Sequence, residues 1–554
     1  MSTKVDFGVL YGQKTTEDAL LIYSSYEDSK ASPQTGDFIV LTPKDESSFK
    51  YLARVEAEIY DEDPIFKSQD KTLIAVHYAR IAERELSERD KQKMFSYTYK
   101  VRILGTFKDT GSSIKFTTAV RKLPVVSYIA RHLNKREIEN ILNRENQNGV
   151  EIGYLCIGET VYSDKGPILF DINRLREKRT MIFAQSGFGK TNLVKVLVYN
   201  MISDTSYGKL IFDLNGEYFL KGIRTYGLGD INEDKIKNNL VVYSDKELPE
   251  IYKKQKRFIF GGKVHINMRN HLTVGDILNF SAGFSDVMKS FLLYLDEEGI
   301  SNFIQNIDSY VNDPSQLHRD FPDFFGEMKR NEPDASARKT IMAIRKRIKH
   351  LIDEGKGLHS QSSNLVTDVF GHLKEGKTVI IDLSLKDNMD ASIISTILVR
   401  ELFDNNKANF TSGKPEDVIH TVIFVEEAQN VLSEEFARSN ANPFVRVAKE
   451  GRKFGLGLVA ITQRPSAISE EIRTQAENFF AFHMGNSDDI KALIKSNISY
   501  DGVISSFIQK ETIPGNLYMV SSEQAFALAV RVNQFENIIE NKIYPESKFG
   551  NNHA

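Results

Sequence analysis

Ala184-Gln185-Ser186-Gly187-Phe188-Gly189-Lys190-Thr191 stands between a short apolar run, residues 180–183, and a segment striped by Leu193, Leu197 and Met201 at four-residue spacing. A strand, a glycine-rich turn and an amphipathic helix in that order are the setting a P-loop requires. Gly187 and Gly189 let the backbone curl so that successive N–H groups point inward at phosphate oxygens, and the helix N-terminus adds its positive dipole end. Lys190 reaches toward the β- and γ-phosphates, and Thr191 offers a hydroxyl to Mg²⁺. Ser186, Gly187, Phe188, Gly189, Lys190, Thr191 and Asn192 are the expected nucleotide-binding residues. Ala184 occupies the place of the usual first glycine, which is tolerable if its φ is negative. The rival reading, a chance glycine-rich turn, has to ignore both flanking elements.

Working outward, short strand-like runs recur, each followed by a helical pattern: 180–183, 209–213, 378–383, 418–425, 456–462 and 479–482. This is how a mostly parallel α/β sheet is written. Between 225 and 375 the strand rhythm fades and charged helical segments dominate, so a helical insertion is expected there, with the sheet resuming near Lys377. Residues 516–520 and 525–532 read as a closing hairpin, and 541–554 as a polar tail. Upstream, residues 5–118 alternate in the strand manner, with Tyr97, Tyr99, Val101 and Ile103 set against Thr98, Lys100 and Arg102. A charged stretch, residues 82–91, interrupts them as an inserted helix or solvated excursion. Residues 123–148 read as helical and then polar, ending at Asn146-Gln147-Asn148-Gly149. The expected organisation is a small β-rich domain over 1–150, an α/β domain over 151–540 and the tail.

A chain of 554 residues with 41% hydrophobic and 27% charged residues has ample material for packed cores, which excludes a mini-protein, a disordered chain and a fibrous repeat. The net charge of −3 gives no whole-chain attraction to polyanions, though a basic channel can hide in a balanced total. Cys156 is the sole cysteine, so no disulfide framework or cysteine zinc cluster is available, and a reducing cytosol is expected. No stretch approaches the roughly 18 apolar residues needed to span a bilayer, so neither secretion nor membrane insertion is expected.

The run Val422-Ile423-Phe424-Val425 delivers Glu426-Glu427 to its carboxyl end, the edge at which open α/β sheets bind ligands. Alone, two adjacent acids read as a solvated strand end. Beside a P-loop they can divide the labour, Glu426 holding the Mg²⁺ shell and Glu427 orienting or activating the attacking water. The strand over 456–462 ends in Gln463-Arg464-Pro465, which places Gln463 to bond that same water.

Several motifs, in order, resemble the HerA-type branch of the HerA/FtsK hexameric P-loop ATPases. Asp213-Leu214-Asn215-Gly216-Glu217-Tyr218 is similar to that family's second-strand Asp with its following Gly-Glu-Tyr, and Val425-Glu426-Glu427-Ala428-Gln429-Asn430 resembles its Walker B segment. Glu450-Gly451-Arg452-Lys453-Phe454-Gly455, continuing to Gln463-Arg464-Pro465-Ser466, is the most specific match. Gly36-Asp37-Phe38 and Ala53-Arg54-Val55 look like strands of the family's small β-barrel. The resemblance covers most of the chain and is weakest over 225–375. It implies a RecA-like P-loop core with a helical insertion and an amino-terminal small β-barrel, assembled as a homohexamer with ATP and Mg²⁺ between neighbours and double-stranded DNA threading the pore. It further implies Lys190, Thr191, Glu427 and Gln463 as nucleotide-site residues, Asp213 as a further acidic member, and Arg452 as an arginine acting on the phosphates, across the interface. Arg176 and Arg179 are further candidates for such a contact, with a structural role equally open. Glu426 stands where many P-loop ATPases have Asp, a longer acid that shifts metal geometry and slows turnover.

The densest basic segment, residues 338–350, puts Ile341, Ile344 and Ile348 on one helical face and leaves Lys339, Arg345, Arg347 and Lys349 for phosphates or for solvent. Nothing resembles a base-reading motif. The leading expectation is a cytoplasmic, ATP-driven DNA translocase that works with a separately encoded nuclease or other effector, in DNA-end processing or antiviral defence. The alternative is an ATP-binding ring scaffold that assembles and regulates an effector with little motor activity. A protein-translocating secretion ATPase shares the core but lacks its expected membrane elements here.

Overall fold

The computed structural model describes residues 6–548 apart from 14–18, 25–32, 44–48, 61–70, 73, 77–96, 112, 145–147, 224, 280–283, 296, 314, 326–332, 355–356, 438–441, 522–523 and 525. The charged stretch over 82–91 and most of the turn at 146–149 lie outside or at the edge of the described residues.

Every one of the six expected α/β strands forms, and they share one 13-stranded sheet. Its parallel part runs in the order Asn478–Ala481, Arg179–Phe183, Leu456–Thr462, Thr421–Val425, Gly208–Asp213, Thr378–Asp382, Leu240–Tyr243 and Ile259–Gly262. Asn516–Val520, Leu528–Val532, Val150–Ile157 and Pro167–Phe170 continue it antiparallel beyond Asn478–Ala481, and the two-residue strand Thr160–Val161 pairs off Val150–Ile157. The parallel strands read as continuous apolar runs because both faces are covered. Met181, Phe183, Leu210 and Phe212 point into one core, whereas Ile182, Ile211 and Val242 point into the other. The P-loop helix Lys190–Met201 fills the second core with Leu193, Leu197 and Met201, all fully buried.

The region 225–375 departs from expectation. It supplies two strands, Leu240–Tyr243 and Ile259–Gly262, that complete the parallel sheet, so the run of helices without a strand narrows to 268–374. Leu-Val-Val-Tyr is a four-residue apolar run, too short for its period to be read against the charged helical sequence around it. Within the helical part, Phe291 meets Phe303 at 5.2 Å and Phe321 at 5.6 Å, and Ile341, Ile344 and Ile348 of Pro333–Ile352 pack into the same core.

The amino-terminal strands form a separate seven-stranded antiparallel sheet, ordered Ala19–Ser24, Asp6–Gln13, Ile129–His132, Phe38–Thr42, Lys50–Tyr60, Tyr97–Asp109 and Ile114–Thr117. Pairing of Ala19–Ser24 with Tyr97–Asp109 closes six of them on themselves. The strand period decides which residue goes where: Ile39 and Leu41 fill the closed interior, while Phe38 and Val40 face the P-loop helix core. Residues 123–148, expected to be helical, contribute the strand Ile129–His132 and then only a short helical stretch, Lys135–Glu137 running into Ile138–Leu142. The strand wins because Ala130 and its neighbours pair on both edges.

The carboxyl-terminal segment is a second departure. Its first part is docked, not a free tail: Ser547 Oγ donates to the buried Asp230 at 2.7 Å and accepts from Arg257 Nη1 at 2.6 Å. Among the described residues no helix is long and apolar enough to cross a membrane.

Candidate nucleotide site

Arg179–Phe183 ends at the carboxyl edge of the sheet, and the chain turns there through residues 184–189 into the helix. Gly187 at φ +85° and Gly189 at φ +106° hold the left-handed conformations that the curl requires. A Cβ on Gly187 would meet nothing within 4 Å, so backbone conformation alone demands glycine there. Ala184 keeps a negative φ and is fully buried, which is why the missing glycine is harmless. Among the described residues the N–H groups of Ser186, Gly187 and Gly189 have no protein acceptor. They are a ready cradle for phosphate oxygens. Lys190 Nζ donates to the Ala184 carbonyl at 3.0 Å. Burial lowers its pKa, and the Glu427, Glu426 and Glu217 charges nearby oppose that shift.

The next strand but one, Thr421–Val425, brings its two acids to the same edge, and they turn apart. Glu427 adopts φ +46°, a left-handed conformation costing about 1–3 kcal/mol for a residue with a side chain, and this turns it toward Gln463. Its Oε1 accepts from Gln463 Nε2 at 3.1 Å and its Oε2 from Gln429 Nε2 at 2.6 Å; Gln429 in turn accepts from the Thr462 hydroxyl at 2.5 Å. Glu426 points the other way. Its Oε1 accepts from the Tyr218 hydroxyl at 2.7 Å, and its Oε2 from the Leu214 N–H at 3.2 Å and the Asn215 amide at 3.4 Å. Burial, followed by the neighbouring Asp213 charge, pushes its carboxyl up to about 8.

Residues 155–402 match the family profile described as helicase HerA, central domain, and 334–491 match one described as zonular occludens toxin (Zot). The DNA double-strand break repair helicase HerA of Sulfurisphaera tokodaii is 24% identical over 388 residues, covering 69% of this chain and 70% of that one. A probable helicase of Methanocaldococcus jannaschii is 22% identical over 479 residues, covering 85% and 82%. These matches support a HerA-type P-loop ATPase. Among solved structures, VirB4 of Thermoanaerobacter pseudethanolicus superposes with a TM-score of 0.43 at 13% identity over 72% of this chain and 98% of that one.

At this site the acid that meets the P-loop is Glu217, whose Oε2 accepts the Thr191 hydroxyl at 2.8 Å. Glu217 was legible in the Gly216-Glu217-Tyr218 motif, yet only the loop geometry shows that it reaches Thr191. Two expected ligands have other partners in this structure. Glu426, expected at the metal, has both oxygens engaged by the 213–218 loop. Asp213, expected at the nucleotide, is fully buried and organises that loop, accepting N–H bonds from Asn215, Gly216 and Glu217 on one oxygen and Tyr218 on the other. Burial raises its pKa to about 6 against the pull of those donors. The hard oxygen set of Thr191 and Glu217, with Glu426 behind, suits Mg²⁺, which takes few protein ligands and keeps its waters.

Asn192 likewise has other side-chain partners. Its amide donates to the Asn533 carbonyl at 3.0 Å and accepts the Phe535 N–H at 2.8 Å, so its side chain anchors the carboxyl-terminal segment to the P-loop helix. Phe188 lies over His483 at 4.4 Å between ring centroids, and its carbonyl accepts the Gly515 N–H at 3.1 Å, clamping the loop tip to the terminal hairpin.

Arg452 is not brought to this site. It is exposed in the turn Gly451–Phe454 before Leu456–Thr462, whereas Gln463 follows that seven-residue strand, about 20 Å away along the sheet. Arg179 is held structurally by Glu477 at 3.0 Å and Gln475 at 2.8 Å, and Arg176 pairs with Asp204 and lies over Tyr207 at 3.8 Å. In the basic helix, Arg345 is only 17% exposed and paired with Asp308 and Asp353, so it is not the free cation expected from the sequence.

Proposed function

We propose that this ATPase is a translocase on double-stranded DNA, working as a homohexamer with a separately encoded nuclease or other effector, in DNA-end processing or antiviral defence. The DNA assignment rests on the curated relatives, named as DNA double-strand break repair helicases, with which the chain aligns over 69% of its length. The hydrolytic part rests on one observation: Glu427, bonded to both Gln429 and Gln463, at the carboxyl edge of the strand next but one to the P-loop strand.

In this reading the N–H groups of residues 186–191 hold the phosphates, and Lys190 leaves the Ala184 carbonyl to neutralise the β- and γ-phosphates. Glu427 takes the proton of the attacking water and Gln463 orients that water. Thr191 and Glu217 would hold Mg²⁺, which would supply charge neutralisation at the phosphates. Arg452, at the far edge of its own subunit, serves the neighbour's site in trans. Lys339, Arg347 and Lys349 are among the exposed cations of the basic helix, and in this reading they meet DNA phosphates.

A second reading, a ring that binds ATP chiefly to hold an effector, is favoured by the engagement of both Glu426 oxygens and by the loss of Arg345 to ion pairs. ATP turnover against linear duplex DNA concentration, for wild type and Glu427→Gln, with mass photometry of the same samples, separates the two. DNA-stimulated turnover lost in the variant, in particles of six subunits, supports the motor. Weak, DNA-indifferent turnover by the same particles supports the scaffold.

A further inference from the structure

The amino-terminal sheet and the ATPase core enclose a cavity of about 570 Å³ that the nucleotide site does not use. Its walls include Phe38, Ile504 and Phe507, and Ala527 and Ala529 of the terminal hairpin. Volume and apolar lining are those of a small-molecule pocket. Glu159 and Lys510 also border it but are exposed to solvent, and one buried cation faces into it. Arg54 is 2% exposed; its Nε and Nη2 both donate to Glu56 Oε1, at 3.1 and 3.0 Å, while Nη1 has no partner among the described residues. A buried donor left without an acceptor is costly, and such a group calls for a ligand oxygen. Arg102 also lies 3.9 Å from Glu56, so the pair and its neighbour carry a net positive charge. The buried carboxylate in the wall, Glu511, is already committed, accepting the Thr512 and Ile513 N–H groups on one oxygen and the Asn516 amide and Tyr518 hydroxyl on the other.

The wall runs on into the P-loop. Helix Val503–Lys510 ends at residues whose carbonyls hold the far side of the site: the Ile508 carbonyl bonds His483 Nδ1 at 3.1 Å, and His483 carries the Phe188 ring. Ile513, also in the wall, lies two residues before Gly515, which bonds the Phe188 carbonyl. We infer that this cavity binds a small organic anion with an apolar body, its acid group drawn to the Arg54 guanidinium, whose buried Nη1 turns toward the cavity to meet it, and that its occupancy changes nucleotide affinity through Gly515 and His483. Displacement of the 511–515 segment in either direction moves the tip of the loop that holds the phosphates.

The probe is 8-anilinonaphthalene-1-sulfonate, an anion on an aromatic body, titrated by fluorescence into the full chain with the P-loop saturated by Mg²⁺ and ADP. Wild type is expected to bind one probe per chain. Arg54→Met is expected to weaken that binding by about tenfold or more, the effect of losing a charged hydrogen bond. Ala529→Phe, which fills the cavity and leaves Arg54 in place, is expected to abolish it, so the test does not depend on one variant folding. Probe affinities within twofold of wild type in either folded variant overturn the site. Calorimetric titration with ADP, with and without saturating probe, is expected to show at least a threefold shift in wild type and none in Ala529→Phe. Equal ADP affinities in wild type overturn the coupling.

Discussion

Gln463 donates its side-chain amide to the Glu427 carboxylate at 3.1 Å, across the ends of two neighbouring parallel strands. The bond fixes the carboxylate that faces the P-loop lysine and puts an amide beside it, a pairing that can hold and deprotonate one water. Glu427→Gln is expected to lower ATP turnover by about 10²–10⁴-fold, the usual contribution of a general base, with ATP affinity within threefold of wild type. Gln463→Ala should lower turnover less, by about tenfold or more, because the base survives without its partner. Normal turnover by Glu427→Gln removes the assignment.

Glu217, and not Glu426, accepts the Thr191 hydroxyl. Glu217→Gln should therefore raise the Mg²⁺ concentration for half-maximal turnover by about three- to tenfold, through loss of one negative charge beside the metal. Metal titration of the ATPase rate checks this, and an unchanged midpoint would return the metal role to Glu426.

Arg452 lies at the edge of the sheet opposite its own P-loop, so its effect should cross subunits. Lys190→Ala and Arg452→Ala are each expected to be inactive, and an equal mixture allowed to co-assemble should regain roughly a quarter of the wild-type rate, the fraction of interfaces that combine an intact lysine with an intact arginine. Absence of any recovery in mixed rings would count against a trans role.

The acid cluster makes stability depend on pH. Glu426 titrates near 4.5 when free and is pushed to about 8 by burial and by Asp213, so between these values the folded chain keeps a proton that the unfolded chain has lost. Its contribution to stability is full below the lower value and is lost as pH rises through the upper one. Glu426→Gln should flatten the fall in Tm between about pH 5 and pH 8. Thermal melts of the nucleotide-free protein at both ends of that window give the answer, and parallel curves for the two proteins would refute it.

Arg257 and Asp230 are both fully buried and 3.6 Å apart, with Ser547 bonded to each. Breaking a buried pair by removing one partner costs about 3–5 kcal/mol, so Asp230→Ala should lower Tm markedly. Ser547→Ala removes only the hydroxyl bridge and should cost less, about 1–3 kcal/mol. Denaturant midpoints of the two proteins rank these effects.

The sequence by itself determined the parallel core, because strands buried on both faces are written as apolar runs, and the P-loop, because its chemistry is local: two glycines, a lysine and a hydroxyl within six residues. It also put Glu427 and Gln463 at the right strand ends, since a strand's exit residue follows from the strand. Only the tertiary structure decided which way each acid turns. Glu426 and Glu427 are adjacent in sequence, yet a left-handed φ at Glu427 sends one to Gln463 and the other to Tyr218. Likewise the partners of Thr191 and Asn192 were hidden, because Glu217 lies 26 residues on and Asn533 and Phe535 lie 341 and 343 residues on, and only the fold brings these segments together. The strands Leu240–Tyr243 and Ile259–Gly262 were hidden for the same physical reason: four residues carry too short a period to declare themselves, and it is the neighbouring strand Thr378–Asp382 that makes them part of the sheet.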